Sequence, residues 1–326
     1  MDKRLDIIGI ENLIMDFAYL INKIPVTDSF STLEDYLWQS GGNVSSAIVA
    51  ASRLGAICGM IGMVGDDPFG DFCVNDMKMH NVDVSHIRIS PKSSTTFCIC
   101  LAEKSTFGRS FLGNRGTHMD ITNDMIDEEF VASARYLHIG VHTQLPILTA
   151  VDMARKNGVI VSMDAGGYTP DSEKLIPKID ILIMSEMYYD KLFTTKDYKK
   201  NCAELLKKGP GIVIVTLGKH GCAGADASGT FEMDALGGQT DIIDTTGAGD
   251  VFHGGFLYSH LQGWDTKTCA RFASAVSYID CTCLGGRTGI PTRKTVEKFL
   301  ETGIVDKTDA KARMEYYRTA MFKSIH

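Results

Sequence analysis

The 326-residue chain lacks the features that mark several large classes of protein. No apolar run approaches the roughly 20 residues of a membrane-spanning helix, and the run after the basic start is too short for a secretion signal. The net charge is -7, and Lys and Arg are scattered, so no basic surface for nucleic acid or an anionic membrane is predicted. We expect a cytoplasmic protein with a small-molecule partner, and neither nucleic acid nor membrane as a partner.

The nine cysteines lack the spacing of a disulfide framework or of a C-x-x-C pair. Two pairs, Cys98 with Cys100 and Cys281 with Cys283, are separated by one residue, and the others are isolated. We therefore expect reduced, mostly buried thiols, as in a cytosolic protein. The chain also lacks an internal repeat, a low-complexity tract and a linker, which favours one domain over residues 1–326.

Short apolar runs alternate with amphipathic segments along the chain. The runs are unbroken, as is typical of strands buried on both faces of a parallel sheet. We predict strands at 5–10, 57–65, 135–140, 159–164, 180–185 and 211–218. We predict helices at 43–54, 69–80, 123–133, 145–157, 198–208, 247–262 and 265–283, and a surface helix after Gly303. This alternation indicates a doubly wound α/β fold.

One region interrupts the alternation. The segments TTFCICLAE (95–103) and RSFLGN (109–114) predict a hairpin between two βα units. Together with LIMDFAYLI (13–21) they can form a small second sheet, and an insert of this kind often covers a cleft.

The stretch TTGAGD, Thr245 to Asp250, follows a strand-like run and precedes an amphipathic segment. Free amides at a helix start bind anions, and Gly247, Ala248 and Gly249 let an anion approach them closely. A plain strand-to-helix connection would also explain the glycines, with Asp250 complementing the helix dipole. A carboxylate beside a phosphate site makes chemical sense where it accepts a proton from an attacking hydroxyl. The turn fits neither the G-x-x-x-x-G-K-[ST] nor the G-x-G-x-x-G pattern.

Three further clusters are candidates for ligand contacts. Gly41 and Gly42 open a small-residue helix, and Asn43 offers both a donor and an acceptor, although a tight loop before a closely packed helix would look the same. Asp16 stands in an apolar run, so it either faces solvent or pairs with a polar ligand such as a vicinal diol. The segment VIVTLGKHG ends a predicted strand where open α/β sheets bind ligands.

Taken in order, Asp16, GGN near residue 42, VGDDPFG, VTLGKHG and DTTGAGDVFHGGFL resemble the ribokinase-like (PfkB-type) carbohydrate kinases from about residue 5 to 300. The most specific element is Asp244 to Asp250, which matches the DTxGAGD signature. The resemblance implies a three-layer α/β/α fold with a mostly parallel central sheet and a small β-sheet lid, from about 12–40 and 92–117.

The resemblance also implies roles for individual residues. Asp250 would be the general base, and the amides of Gly247, Ala248 and Gly249 would form the anion hole. The implied contacts of the acceptor sugar are Asp16, Gly41, Gly42, Asn43 and Arg115. The implied contacts of ATP are Ser185, Thr216, Gly218, Gly221 and Gly249.

Two metal ions belong to this resemblance, Mg²⁺ with ATP and a monovalent cation, usually K⁺. Atoms of Asp244, Thr246, Asp280, Cys283 and Gly285 fall at positions matching the K⁺ site, and Gly289 stands where relatives sometimes carry a side-chain ligand. The N-x-x-E element that organises Mg²⁺ is altered to SEMY, with Ser185 for Asn and Tyr188 for Glu. Either Glu186 compensates, or the nucleotide phosphates hold the Mg²⁺.

The resemblance predicts an ATP-dependent kinase acting on a hydroxyl of a small sugar or sugar acid, and a homodimer through the lid. Asn43 and Gly140 replace a Lys and a Glu of ribokinase itself, which argues against ribose, and Glu11 replaces a glycine, which would reshape the sugar pocket. A nucleoside kinase is the alternative, with Phe17, Tyr19, Phe97 and Phe111 as stacking partners. A non-catalytic sugar-binding or regulatory protein is a third interpretation, motivated by SEMY.

Overall fold

The computed structural model describes residues 3–323. Its strands are β1 Leu5–Ile10, β2 Ile14–Ile21, β3 Leu33–Gly41, β4 Cys58–Gly65, β5 Asp83–Ser90, β6 Thr96–Glu103, β7 Gly108–Asn114, β8 Ala134–Ile139, β9 Ile160–Ala165, β10 Ile181–Ser185, β11 Ile212–Thr216, β12 Cys222–Asp226 and β13 Gly229–Met233. Its α-helices are α1 Asn43–Leu54, α2 Pro68–Met79, α3 Glu128–Ala132, α4 Leu145–Lys156, α5 Glu186–Leu192, α6 Tyr198–Leu206, α7 Ala248–Leu261, α8 Thr266–Asp280, α9 Arg293–Thr302 and α10 Thr308–Lys323.

Nine strands form the central sheet in the order β13-β12-β11-β10-β9-β8-β1-β4-β5. The seven strands from β11 to β5 run parallel, which confirms the mostly parallel sheet expected from the unbroken apolar runs. The antiparallel hairpin of β12 and β13, which was not predicted, extends one edge. Because all the parallel strands point the same way, their carboxyl ends and the residues that follow meet at one edge of the sheet.

Helices cover both faces of the central sheet, so the three-layer α/β/α prediction is confirmed. Neighbouring residues of β1 show the division, since Ile7 belongs to the apolar core that includes residues of α1, α7 and α8, whereas Ile8 belongs to the core that includes residues of α4 and α6. Both side chains are fully buried. Two apolar cores therefore hold the sheet rigid from either side and fix the strand ends relative to the helix N-termini.

A second sheet of four strands, in the order β3-β2-β6-β7, forms the predicted insert. Its β2 and β6 strands run parallel, and β6 and β7 form the expected hairpin. Side chains alternate between its faces, with Asp16 and Cys98 on the face toward the central sheet's carboxyl edge. Phe17 and Phe97 lie on the opposite face and contact each other edge to edge, with ring centroids 5.9 Å apart. Phe17 and Phe97 are therefore not stacking partners for a ligand in the cleft.

Helices α1 and α7 pack unusually closely, because glycine stands where they cross. A side chain at Gly254 would collide with the backbone of Ala47 and the methyl group of Ala50. The small residues of α1, including Ala47 and Ala50, are completely buried at this contact. This approach places the N-termini of the two helices, Asn43 and Ala248, at the same edge of the sheet.

Two predicted helices differ from the structure. The segment 123–133 divides into a 3₁₀ turn at 123–125 and the short α3, because the Asp127 side chain caps a new helix start by accepting from the amides of Glu129 and Phe130. The surface helix expected after Gly303 is instead docked, since the Tyr317 side chain of α10 is fully buried. Within residues 3–323, the structure contains no helix long and apolar enough to cross a membrane.

Candidate active site

One large cleft separates the carboxyl edge of the central sheet from the second sheet. Its floor comes from residues that follow β9, β10 and β11 and from the N-termini of α1 and α7, and its roof comes from β2, β6 and β7. Of the residues predicted from the sequence, those lining it are Asp16, Gly42, Asn43, Ser185, Glu186, Thr216, Gly218, Gly221, Thr246, Gly247, Ala248, Gly249 and Asp250. The structure thus brings the predicted acceptor residues and the predicted nucleotide residues together around the turn before α7.

The turn before α7 has the geometry of an anion site. Gly247 has the left-handed φ of 78°, and a side chain on it would collide with the backbone of Gly286, so glycine is required here. The amide of Ala248 donates to the Thr245 carbonyl at 3.3 Å, whereas those of Gly247 and Gly249 have no hydrogen-bond acceptor in the described part of the chain. The start of a 14-residue helix therefore presents free donors to the cleft.

Asp250 lies in the first turn of α7, partly buried, with its carboxylate in the cleft. Burial raises the pKa of Asp250 to about 7, and the negative charge of Asp164 adds to the increase. His253 and the guanidinium groups of Arg109 and Arg287 act in the opposite direction. A carboxyl group that titrates near neutral pH can both take a proton from a bound hydroxyl and release it afterwards.

Behind Asp250 lies a buried cluster of polar side chains that was not predicted from the sequence. The Asp164 carboxylate, at the end of β9, lies 3.2 Å from Nε2 of His253, and both side chains are about 95% buried. The His138 ring lies 5.2 Å from the His253 ring, and burial lowers the pKa of His138 to about 3, so its imidazole is neutral. Asp164 Oδ2, His253 Nδ1 and His138 Nε2 have no hydrogen-bond partner in the structure.

The predicted acceptor residues meet where the roof faces the N-terminus of α1. Asp16 is 9% exposed, and burial raises its pKa well above the usual range of a carboxyl group. Asn43 begins α1, and its side chain is exposed to the cleft. The backbone at Gly42 has φ 102°, and a side chain there would collide with the Glu11 carboxylate.

Glu11 takes a structural position rather than the pocket-forming one expected. Its carboxylate accepts a 3.0 Å hydrogen bond from the Ser45 amide, so it caps α1, whose own N-cap residue is a glycine without a side chain. Glu11 does not line the cleft. Its burial raises the pKa of this carboxyl group to about 8.

Gly41 also lies behind the cleft rather than in it. Its carbonyl accepts hydrogen bonds from Ser45 Oγ and from the Arg287 guanidinium. Arg287 is fully buried and forms an ion pair with Asp76 at 2.6 Å, and Tyr317 of α10 donates to the other oxygen of that carboxylate at 2.8 Å. A buried charged network therefore fixes the loop that positions Gly42 and Asn43.

Of the arginines in the second sheet, Arg109 reaches the turn and Arg115 does not. Nη1 of Arg109 donates to Thr245 Oγ1 at 2.7 Å, across the cleft. Arg115 is exposed and lies outside the cleft-lining residues, so the structure does not bring it to the predicted acceptor site. Arg109 therefore places a positive charge beside the free amides of α7.

The predicted nucleotide residues follow β10 and β11. Thr216 ends β11, and Gly218 and Gly221 both have positive φ in the open turn that follows. Ser185 caps α5 by accepting from the Tyr188 amide, and its hydroxyl donates to the Gly166 carbonyl at 2.9 Å. This loop leaves backbone groups accessible at the edge of the cleft.

Two residues of the SEMY segment, Glu186 and Tyr188, have protein partners. The Glu186 carboxylate pairs with Lys196 at 2.9 Å and accepts from the Tyr198 hydroxyl, and the Lys196 contact lowers its pKa. Tyr188 is fully buried and accepts a hydrogen bond from Ser172. Tyr188 is therefore a core residue, while Glu186 faces the cleft as one member of an ion pair.

A buried carboxylate pair lies beneath the turn at the predicted cation position. Asp244 accepts from the amides of Thr246 and Gly285, at 2.8 and 2.9 Å. Asp280 is fully buried, and within residues 3–323 neither of its carboxylate oxygens has a hydrogen bond of normal geometry, although the Gly289 amide acts on the carboxylate. A side chain at Gly289 would collide with the Asp280 backbone, so no ligand side chain fits there. The unpartnered oxygens of Asp280 match the requirement of a bound cation.

Asp164 and His253 did carry a sequence signal. Asp164 is the last residue of a predicted parallel strand, where cleft residues are expected, and His253 lies one helical turn after Asp250. Arg109 and Arg287 had no such signal, because their contacts at Thr245 and Asp76 join segments more than 100 residues apart.

Comparison with known proteins agrees with this arrangement. The family described as "pfkB family carbohydrate kinase" matches residues 3–293. A ribokinase of Haemophilus influenzae is 28% identical over 83% of this chain and 90% of that protein. A nucleoside kinase of Methanothermobacter thermautotrophicus is 25% identical over 92% of this chain and 97% of that protein.

A solved structure from E. coli, a candidate ribokinase II in complex with ATP and Mg²⁺, superimposes with a TM-score of 0.79. It is 22% identical and covers 91% of this chain and 99% of the other, which supports the shared fold. With the family match spanning most of the sequence, the chain belongs to the pfkB family of carbohydrate kinases and is a phosphotransferase of that family.

Proposed function

We propose that the protein transfers the γ-phosphoryl group of ATP to a hydroxyl group of a small sugar. The observation that carries this proposal is the first turn of α7, where a cleft-facing carboxylate with a pKa near 7 lies beside amides without acceptors. Free helix amides and the nearby Arg109 suit an anion, and Asp250 suits an incoming hydroxyl. One turn therefore provides groups for both partners of the transfer.

In this mechanism the acceptor lies between the second sheet and the N-terminus of α1. Asp16 and Asn43 hold its hydroxyl groups and orient one of them toward Asp250, which takes the proton as the oxygen attacks phosphorus. The Gly247, Ala248 and Gly249 amides and Arg109 stabilise the charge on the transferred group. Ala248 must exchange its 3.3 Å contact with Thr245 for the anion.

The nucleotide lies along the loop from Thr216 to Gly221, with Ser185 at its edge. Mg²⁺ bound with ATP would neutralise charge on the phosphates. Because Glu186 is paired with Lys196, we infer that the phosphates supply most of the Mg²⁺ ligands. The E. coli structure that contains ATP and Mg²⁺ supports this pairing of cofactors.

A monovalent cation fits the carboxylates beneath the turn. Asp280 supplies two unpartnered buried oxygens, and the backbone carbonyls of Thr246, Cys283 and Gly285 lie in the two segments that meet there. Charge compensation at this position would stabilise the turn that carries the free amides. We propose K⁺ as the occupant.

The charges around the acceptor position favour a neutral sugar over a sugar acid. Asp16, Asp164 and Asp250 all line the cleft on this side, and a carboxylate on the acceptor would face them. Arg109, which donates to Thr245, lies at the phosphoryl position rather than beside the acceptor. We therefore propose a neutral polyhydroxylated acceptor.

A nucleoside acceptor is the second candidate, and two observations favour it. A relative named as a nucleoside kinase matches 92% of this chain, and Phe107 and Phe111 of the second sheet line the cleft. Both rings are more than half exposed, so they are available to stack on a base. Phe17 and Phe97, which face away, do not contribute.

An ADP-release assay with a panel of neutral sugars, sugar acids and nucleosides, with and without K⁺, tests these proposals. We expect turnover with a neutral sugar, stimulation by K⁺, and a loss of about 10² to 10⁴-fold in kcat for Asp250→Asn. The unfolding temperature of Asp250→Asn should be no lower than that of the wild type, which shows that the loss is chemical. Sugar binding by calorimetry without ADP release from any acceptor would refute the kinase assignment for this chain.

A further inference from the structure

Three side chains with metal-binding atoms meet on the cleft face of the second sheet. Asp16 of β2 lies in register beside Cys98 of β6, and Cys100 follows two residues later on the same face. One carboxylate oxygen and the two sulfur atoms all lie within 4.8 Å of one another. All three residues line the cleft, so a small ion can reach them from solvent.

The Asp16 carboxylate is available to a ligand, and Cys98 is accessible from the cleft. In the span 3–323, no group donates a hydrogen bond to the Asp16 carboxylate, although its side chain is almost fully buried. Cys98 is partly exposed, whereas the other eight cysteines are buried. The neighbouring Cys100 thiol stabilises the Cys98 thiolate and lowers the pKa of Cys98 to about 7. A desolvated carboxylate without a partner is costly, and a bound cation would offset that cost.

We propose that Asp16, Cys98 and Cys100 form a binding site for a thiophilic divalent cation such as Zn²⁺ or Cd²⁺. Around an ideal tetrahedral Zn²⁺ such ligand atoms are roughly 3.5 to 3.8 Å apart, so small side-chain rotations close the site. The fourth position faces the cleft and takes water. Two sulfur ligands disfavour Mg²⁺ and K⁺, so this site is distinct from those of the nucleotide metal and the monovalent cation.

Binding has two consequences that follow from the ligands. Each thiol loses its proton to solvent as its sulfur binds, so affinity rises with pH. Asp16 cannot hold a metal ion and an acceptor hydroxyl at once, so the metal inhibits the kinase reversibly by competing with the acceptor. The inhibition rests on the proposed function, whereas the metal site itself does not.

Titration of the reduced, metal-free full-length protein with Cd²⁺ tests the site, with thiolate-to-metal absorption in the ultraviolet as the readout. We expect one equivalent to bind, and Zn²⁺ to displace it. Cys98→Ser, Cys100→Ser and Asp16→Asn should each weaken binding at least tenfold, because even the loss of a group that only orients a metal ligand typically costs about 10- to 100-fold in affinity. Cys202→Ser, which changes a buried cysteine on the distant α6, is the matched control and should bind like the wild type.

Equal unfolding temperatures of the variants establish that they are folded. Binding that is unchanged in Cys98→Ser and Cys100→Ser, or that is lost equally in Cys202→Ser, would overturn the inference. In the kinase assay, Zn²⁺ should raise the KM of the acceptor and leave that of ATP unchanged. If the protein binds one equivalent of Cd²⁺ through these residues but has no kinase activity, the metal site is supported and the proposed function is refuted. If the protein is an active kinase but does not bind Cd²⁺ there, the proposed function is supported and the metal site is refuted.

Discussion

Replacing His253 with glutamine should move the pH dependence of catalysis without lowering its maximum. In the wild type, the pKa of Asp250 is about 7, so roughly half of the molecules carry the ionised base at pH 7 and about a tenth at pH 6. The base works when ionised, so kcat/KM falls as the pH decreases through 7. His253 opposes the negative charge of Asp164, 3.2 Å away.

With glutamine at 253, the Asp164 charge acts on Asp250 without compensation. Shifts from neighbouring charges begin at about one unit, so we expect the midpoint to rise to about 8. At pH 7 the ionised fraction then drops to about a tenth, and kcat/KM is about fivefold below that of the wild type, with the same plateau above about pH 9. His138→Gln is the control, because the low pKa of His138 makes its ring neutral and its removal leaves the midpoint unchanged.

The assay is the pH profile of kcat/KM from pH 5.5 to 9.5, measured by ADP release with an acceptor found in the panel. The other charged groups that act on Asp250 are Arg109 and Arg287. The charge of Asp250 in turn raises the pKa values of Glu11, Asp16 and Asp280. None of these is altered in either variant. A lowered plateau with the midpoint still near 7 would refute the electrostatic reasoning and indicate a packing role for His253.

Three further predictions follow from the contacts described above. Arg287→Met leaves Asp76 charged and buried, so urea unfolding should show a loss of about 3 to 5 kcal/mol, and a loss below about 1 kcal/mol would contradict the ion pair. Glu11→Gln should be more stable than the wild type by up to about 5 kcal/mol above pH 8 and equal below pH 4.5, because between these values the unfolded chain releases the Glu11 proton that the folded protein retains; equal melting temperatures at pH 8.5 would contradict this. Arg109→Ala should lower kcat at least tenfold, with the exposed Arg271→Ala as control, and a change confined to the acceptor KM would show that Arg109 binds sugar instead.

The sequence predicted most of the central sheet, because strands buried on both faces have apolar runs that are easy to recognise. It did not predict β5, β12 and β13, which lack such a run, because β5 and β13 are largely exposed and β12 consists mostly of small residues. The docking of α10 was also missed, since one buried tyrosine and the hydrogen bonds of Arg313 to the carbonyls of Thr288 and Ile290 fix a helix that is otherwise polar. The single domain and the homodimer through the second sheet stay predictions.

The site was predictable where its residues are contiguous. The turn from Asp244 to Asp250 places its own amides and carboxylate by local helix geometry, so its motif carried the full signal. Arg109 and the His253 contact with Asp164 were not recognised, because their partners lie far away in sequence. The position of Arg115 was expected from the resemblance, and the structure leaves it outside the cleft.

The close contact of α1 and α7 at Gly254 has a consequence for how substrates can vary. In the proposed mechanism the two helices face the acceptor and the phosphoryl group with their N-termini, and the close contact at Gly254 sets the spacing of the helices. Neither helix can shift to suit a longer or shorter acceptor, so the distance between the two helix N-termini is fixed. A change in acceptor specificity therefore requires substitutions in the second sheet, where side chains can be replaced without altering the distance between the two helices.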